Sequence, residues 1–329
     1  MTKHRKDTDY LFLASRVRAL ERKLLTAPRI EQLLTAGDMA ACSQLLSELG
    51  YEPIHDEASL QASLKQQREA VFSDIARFMP EPELLDVFRL KYDYHNIKTL
   101  LKDRSGGRLL MDAGCISAAD MERQYAESGN WQFLPKEMAD AAKEAGDVLA
   151  ETGNLQRSDF ILDRAYFAQL RSLAQESRCA YLQDYIRAMI DAANLRSLVR
   201  TIRMGKNETF LAGILFAGGE VAEDAILKVS AGKGSGLKEL YQSTRFRAAA
   251  EAGAQALSGG PLTEFEKLCD DAVGDYLAGA QFIPFGEAPL VGYLAARETE
   301  YTNLRILLIG RSTGLPADVV RSRLRASYV

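Results

Sequence analysis

Three histidines, one tryptophan and nine prolines are all that 329 residues contain of these types. Each scarcity closes off a class of protein. With only His4, His55 and His95 and no HExxH pair, a zinc-peptidase site is excluded. Four cysteines (Cys42, Cys115, Cys179 and Cys269) stand without CxxC spacing, so neither a disulfide framework nor a metal cluster is expected. Reduced, mostly buried thiols in a cytosolic chain are the plain reading. No apolar run is long enough to span a bilayer, and the N-terminal stretch through Lys23 has basic residues but no apolar core, which argues against a secretory signal. Lys and Arg number 41 against 45 Asp and Glu, a net charge of −4, so the basic excess of a nucleic-acid reader is missing. Nine prolines and 24 glycines are too few breakers for a many-stranded sandwich and suit long helices.

What is present is a repeat. Asp93-Tyr94-His95-Asn96-Ile97-Lys98 leads into Leu100-Leu101, Asp191-Ala192-Ala193-Asn194-Leu195-Arg196 into Leu198-Val199, and Glu300-Tyr301-Thr302-Asn303-Leu304-Arg305 into Leu307-Leu308. Each copy has an acid three residues before Asn, an aliphatic after it, then a base, then two adjacent aliphatics. A weaker copy without the acid or the Asn covers Arg16–Arg22. The intervals of 80, 98 and 109 residues between positions 16, 96, 194 and 303 are the size of small domains and too long for short helical-hairpin repeats. A second shared segment covers Leu33–Asp38, Leu110–Ile116 and Leu215–Val221, with Gly314–Asp318 in the last copy; it reads as a short helix closed by Gly.

Apolar spacing of i, i+3, i+4 runs through the motifs and through Ile30–Leu49, Leu60–Phe78, Met138–Glu151, Phe160–Leu173, Cys179–Arg203 and Val221–Val229. No alternating strand pattern stands beside it, so the predicted class is all-α. Phe282–Gly286 reads as a loop. Asn is a poor helix residue, about half a kcal/mol worse than Ala, and its threefold recurrence asks for a reason. A buried amide bridging to a loop carbonyl or a neighbouring helix supplies one; no metal-ligand or phosphate motif accompanies any copy to support a ligand role. Lys98, Arg196 and Arg305 lie five positions from Asp93, Asp191 and Glu300, so they are expected to reach between helices or into solvent rather than pair with those acids.

Catalytic signatures are few. GxSxG is absent. In Ala231–Gly236 the Lys lies between glycines with no strand before it, so an interhelical loop is expected rather than a P-loop. Asp270-Asp271-Ala272-Val273-Gly274-Asp275 resembles the acidic Mg²⁺ motif of all-α prenyl-diphosphate enzymes, but a second facing acidic motif is missing. A solvated acidic face is the simpler reading. No catalytic residue, cofactor or metal ligand is therefore assigned.

The repeat also has a family look. Lys91–Lys102, with its Asp93-Tyr94-His95-Asn96-Ile97-Lys98 core, resembles the signature of the C subunits of V-type/A-type ATP synthases, whose counterpart in eukaryotic V-ATPases is the d subunit. Arg297–Leu308, the terminus Arg321–Val329 and the early Ala14–Glu21 are similar to further family segments. The stretch 130–160 around Trp131 and the loop 231–240 have no such counterpart. The resemblance implies three similar helical domains, roughly 1–110, 111–212 and 213–329, around a pseudo-threefold axis in a funnel. It implies a non-catalytic central-stalk adaptor of a rotary ATPase, peripheral on the cytoplasmic face of the membrane. Its partners would be the D and F subunits of the central shaft and the proteolipid ring that carries proton or sodium transport, without membrane insertion. The alternatives are a Mg²⁺-dependent prenyl-diphosphate enzyme and an unrelated helical scaffold.

Overall fold

In a computed structural model, residues 6–102 and 110–328 are described; His4 and Val329 lie outside the described residues. Among the described residues the chain is helical, with no strand. A 3₁₀ turn at Asp7–Tyr10 leads into α1 (Leu11–Glu21), followed by α2 (Ala27–Thr35), α3 (Met39–Ser47) and the long α4 (Glu57–Ala76). Next come α5 (Glu83–Lys102), α6 (Ala118–Ser128), α7 (Lys136–Thr152), α8 (Leu155–Ser177) and α9 (Ala180–Arg203). The short α10 (Glu208–Ala212), α11 (Glu223–Ala231) and α12 (Leu237–Tyr241) precede α13 (Arg247–Leu257) and α14 (Leu262–Ala278). A 3₁₀ turn at Gly279–Phe282 separates these from α15 (Ala288–Ser312) and α16 (Ala317–Arg323).

Local chemistry sets several boundaries. The apolar spacing over Ile30–Leu49 predicts one helix, but the chain forms two. Asp38 stops the first by capping the second, its carboxylate accepting the Ala41 N–H at 2.8 Å. Arg311, near the end of α15, donates to the carbonyls of Leu34 and Ala36 at 2.6 and 2.5 Å, closing the C-terminus of α2. The segments Leu110–Ile116 and Leu215–Val221 are not short helices as their pattern suggested; both are irregular loops. Helix α6 ends at Gly129 and α7 at Gly153, each in the left-handed conformation that glycine adopts freely.

The buried apolar side chains form three clusters. The first joins α1, the end of α4, α5 to α8, the first half of α9 and the start of α15. The second holds the rest of α9 with α10 to α14. The third packs Leu25 to Leu64 against Tyr301 to Leu324, so the two ends of the chain share one core. Four helices each serve two clusters, α14 among them through Leu277 in the first and Phe265 in the second. In α4, Leu60 and Leu64 belong to the third and Phe72 and Ile75 to the first; in α9, Ile186 and Leu198 divide between the first and second; in α15, Leu294 and Leu304 divide between the first and third. Every residue from Ala288 to Arg297 is buried, as a helix surrounded on all sides requires.

The ends are fastened by polar contacts as well. Ser327 donates to the Leu25 carbonyl at 2.8 Å, and Tyr328 donates to Glu21 at 3.1 Å. Within α15, Arg297 and Glu300 form an ion pair at 2.5 Å with side chains 6% and 3% exposed. Tyr51 donates to Glu300 at 2.5 Å, Gln67 accepts from Arg297 at 2.8 Å, and the guanidinium lies 5.0 Å from the Tyr301 ring centre. A pair this deep is tolerated because each remaining donor and acceptor has a partner; removing one ion strands the other. Glu300→Ala is therefore expected to lower unfolding stability by about 3–5 kcal/mol. Asp74→Ala, which breaks the solvent-exposed pair with Arg16, is expected to change stability far less, because water screens such a pair. Denaturant titration of both variants checks the contrast.

Candidate functional site

The three Asn residues of the repeat lie on α5, α9 and α15, and all are buried. Each clasps a single residue of a segment further along the chain through that residue's own backbone N–H and C=O. Asn96 donates to the Met111 carbonyl and accepts the Met111 N–H, both at 2.8 Å. Asn194 does the same with Phe216, again at 2.8 Å each way. Asn303 does it with Arg325 at 3.1 and 2.9 Å. An amide carries a donor and an acceptor side by side, so it complements a backbone N–H and C=O together, which neither Asp nor Leu can do.

The acids three residues earlier hold the same loops in the first two copies. Asp93 accepts the N–H groups of Cys115 and Ile116 at 3.0 and 3.1 Å, and Asp191 those of Glu220 and Val221 at 2.9 and 3.1 Å. Burial pushes both carboxyls above their ordinary range, while the two N–H bonds on each pull the other way. The loop backbone must come very close to reach the carboxylate. A Cβ on Gly114 would overlap the Asp93 carboxylate, and one on Gly219 that of Asp191. In the third copy the longer Glu300 reaches instead to the N–H of Leu25 at 2.6 Å, at the other end of the sequence. Helix α2 follows that anchor as α6 and α11 follow theirs. The Arg16 segment makes no such clasp; Arg16 pairs with Asp74, and Arg18 donates to the carbonyls of Ala280 and Ile283 at 2.6 and 2.7 Å.

The bases after the Asn residues reach between helices in two copies. Lys98 pairs with Asp163 of α8 at 2.6 Å, and Lys102 one turn later with Asp159 at 2.8 Å. Arg196 pairs with Asp270 of α14, and Arg200 one turn later with Glu266 at 2.5 Å. These two-rung ladders between antiparallel helices were invisible in the sequence, because each acid stands more than fifty residues from its base. Arg305 has no acidic partner among the described residues. The acidic run on α14 is likewise spoken for. Asp270 is held between Arg196 and Arg325, and Asp271 accepts from Lys267 at 2.6 Å and from the Ala326 N–H at 2.9 Å. Oxygens neutralised this way are poor ligands for a Mg²⁺–diphosphate. Among the described residues no group of three metal-ligating side chains comes together.

Helices α5, α9 and α15 converge on a hollow of about 330 Å³. Lys91 of α5, Arg196 and Met189 of α9, and Glu298 and Thr302 of α15 line it, with Asp270 opposite. Glu298 is the hinge of this convergence. Lys91 and Tyr92 of α5 both donate to it at 2.5 Å. Burial alone would raise its carboxyl, but the charges of Lys91 and Arg68 and the two hydrogen bonds outweigh it and hold the group below its ordinary value.

The profile of the family described as ATP synthase (C/AC39) subunit matches residues 13–323. The chain belongs to that family. Curated relatives agree along the whole length. The C subunit of the V-type sodium ATPase of Enterococcus hirae is 26% identical over 329 residues, covering 97% of this chain and 99% of its own. The C subunit of the A-type ATP synthase of Methanocaldococcus jannaschii is 24% identical, covering 96% of this chain and 86% of its own. That of Haloferax volcanii is 23% identical, covering 95% and 96%. As a member, the chain is a C-type subunit of the V/A-type rotary ATPases. No helix among the described residues is long and apolar enough to cross a membrane.

Two outcomes test the clasp and the hinge. Asn194→Asp keeps the shape but turns the donor toward the Phe216 carbonyl into a second acceptor, and is expected to destabilise by about 2–3 kcal/mol, as a buried acceptor left unpaired requires. Asn194→Ala is expected to fall in the same range, measured by urea titration. Glu298, with its folded pKa depressed, stabilises the fold above its unfolded value near 4.5, and that contribution is lost as pH falls through the folded value. Melting temperatures of wild type and Glu298→Gln are therefore expected to converge as pH drops below about 4.5 and to separate above it.

Proposed function

We propose that this chain is the non-catalytic central-stalk adaptor of a V/A-type rotary ATPase, joining the D–F shaft to the membrane proteolipid ring during proton or sodium transport. The observation that carries the reading is the hollow on which the three clasped helices converge. In this reading it opens the socket of a pseudo-threefold funnel. The funnel's three units divide near residues 110 and 212, and the two chain ends share the third core. The site residues of the repeat then act as fasteners: Asp93, Asn96 and Lys98, Asp191, Asn194 and Arg196, and Glu300 and Asn303 fix each inner helix to its own surroundings.

The mechanical argument is physical. Torque passes through stiff bodies, and interdigitated helix packing is stiff. Helices α4, α9 and α15 each run through two cores, so a load applied to one core is shared with its neighbour. The lining of the hollow mixes apolar surface (Phe167, Tyr185, Met189 and Val273) with charges already paired within the chain. Such a surface buries apolar area against a shaft while its polar groups fix orientation. The sodium ATPase and A-type synthase subunits to which the chain is similar along their length support the same reading. A net charge of −4 gives no long-range attraction to anionic lipid, so peripheral attachment at the cytoplasmic face comes from the ring.

Liposome sedimentation and pull-down test this. The purified chain is expected to stay in the supernatant with plain liposomes, to sediment with liposomes carrying the ring, and to be retained by an immobilised D–F shaft. Equal sedimentation with both kinds of liposome would refute the adaptor mechanism and point to a lipid-binding protein.

A further inference from the structure

The first two copies of the repeat answer the base after Asn with an acid on the antiparallel helix, and a second base–acid rung follows one turn on. The third copy breaks this rule. Arg305 pairs with no acid among the described residues, and the next rung position is Ile309. Arg305 instead borders a cavity whose lining includes Gln61, Lys65 and Arg68 of α4.

These side chains do not close on one another. They line a cavity of about 220 Å³, together with His95 and Asp112. Arg68 is only 7% exposed, its guanidinium lies 4.6 Å from the Tyr301 ring centre and 5.6 Å from that of Tyr92, and its buried Nε has no acceptor. A buried guanidinium nitrogen without an acceptor costs free energy. Lys65 is only loosely engaged, 3.5 Å from Asp112 and 3.7 Å from Glu69, in half-exposed pairs. Asp112 meanwhile uses one oxygen to accept the Ala118 N–H at 3.0 Å.

We propose that this cavity between α4, α15 and the loop at 110–113 binds inorganic phosphate, which supplies the negative charge missing from the third ladder. Lys65, Arg68 and Arg305 converge from two helices, which suits a tetrahedral oxyanion, and arginine forks match its oxygens. Asp112 sharpens the choice. Phosphate at neutral pH keeps a proton that it can donate to this carboxylate, whereas sulfate carries none and meets repulsion. The cavity holds the volume of about seven waters, enough for a five-atom anion with its remaining hydration. The cavity shares no lining residue with the hollow where α5, α9 and α15 meet, although the Arg68 charge also acts on Glu298 there; the proposal stands whether or not the chain grips a shaft.

Isothermal titration of the full chain at neutral pH with sodium phosphate, against sodium sulfate at equal ionic strength, tests the assignment. The expected result is saturable one-to-one binding of phosphate, with sulfate about tenfold weaker or worse, and with Arg305→Gln weakening phosphate by about tenfold or more. Arg305 is chosen over Arg68 because it is half-buried and forms no hydrogen bond or ion pair among the described residues, and circular dichroism of the variant checks that it folds. Arg305→Lys, which keeps the charge, is expected to retain part of the affinity. No saturable heat, an equal response to sulfate, or undiminished binding by Arg305→Gln would each overturn the proposal.

Discussion

A buried side-chain amide paired with the backbone N–H and C=O of one residue is the interaction on which the rest of this structure depends. An irregular loop that packs against a helix cannot leave its N–H and C=O groups dry, because each unpaired group costs about 1–3 kcal/mol. Asn96, Asn194 and Asn303 remove that cost for Met111, Phe216 and Arg325 with two bonds apiece. The acids one turn earlier extend the seam to further N–H groups, and glycine at 114 and 219 lets the backbone approach closely enough. With its loop fixed this way, each inner helix also fixes the helix that follows the loop.

The third copy shows what the seam does for the whole chain. The same two positions on α15 hold segments 275 residues earlier and 22 residues later: Glu300 takes Leu25, and Asn303 takes Arg325. The device that elsewhere fastens a local loop here closes the N-terminal region onto the C-terminus. This closure goes with the least exposed ion pair of the described residues, Arg297 with Glu300, whose carboxylate serves Leu25, Tyr51 and the guanidinium at once. In the proposed adaptor role, a closed body with helices shared between cores resists twisting better than three units on a string.

How much of this could be read in advance depends on distance along the chain. The all-α class followed from i, i+3, i+4 spacing, and the Asn positions stood out because a poor helix former recurred at one register. The bland expectation for those amides, a bridge to a loop, named the right chemistry but no partner. The loops carry no pattern of their own, and Leu110–Ile116 and Leu215–Val221 passed for short helices until their backbones were seen to be spent on Asn and Asp. Lys98, Arg196 and Arg305 looked alike in sequence. What separates them is Asp163 for the first, Asp270 for the second, and a cavity shared with Lys65 and Arg68 for the third.

The sequence by itself determined the helices, the recurring acid–Asn–base register and the lack of catalytic signatures, since these rest on neighbours within a turn or two and on residue counts. Tertiary structure decided which loops the amides hold, that the ends of the chain share one core, that Asp270 and Asp271 are neutralised, and that α5, α9 and α15 meet around a hollow. The physical reason is the same in each case. A hydrogen bond or ion pair between residues far apart in sequence leaves no periodicity in the chain. Its partners are chosen by which surfaces the packing of helices brings within about 3 Å, and that choice exists only once the chain has folded.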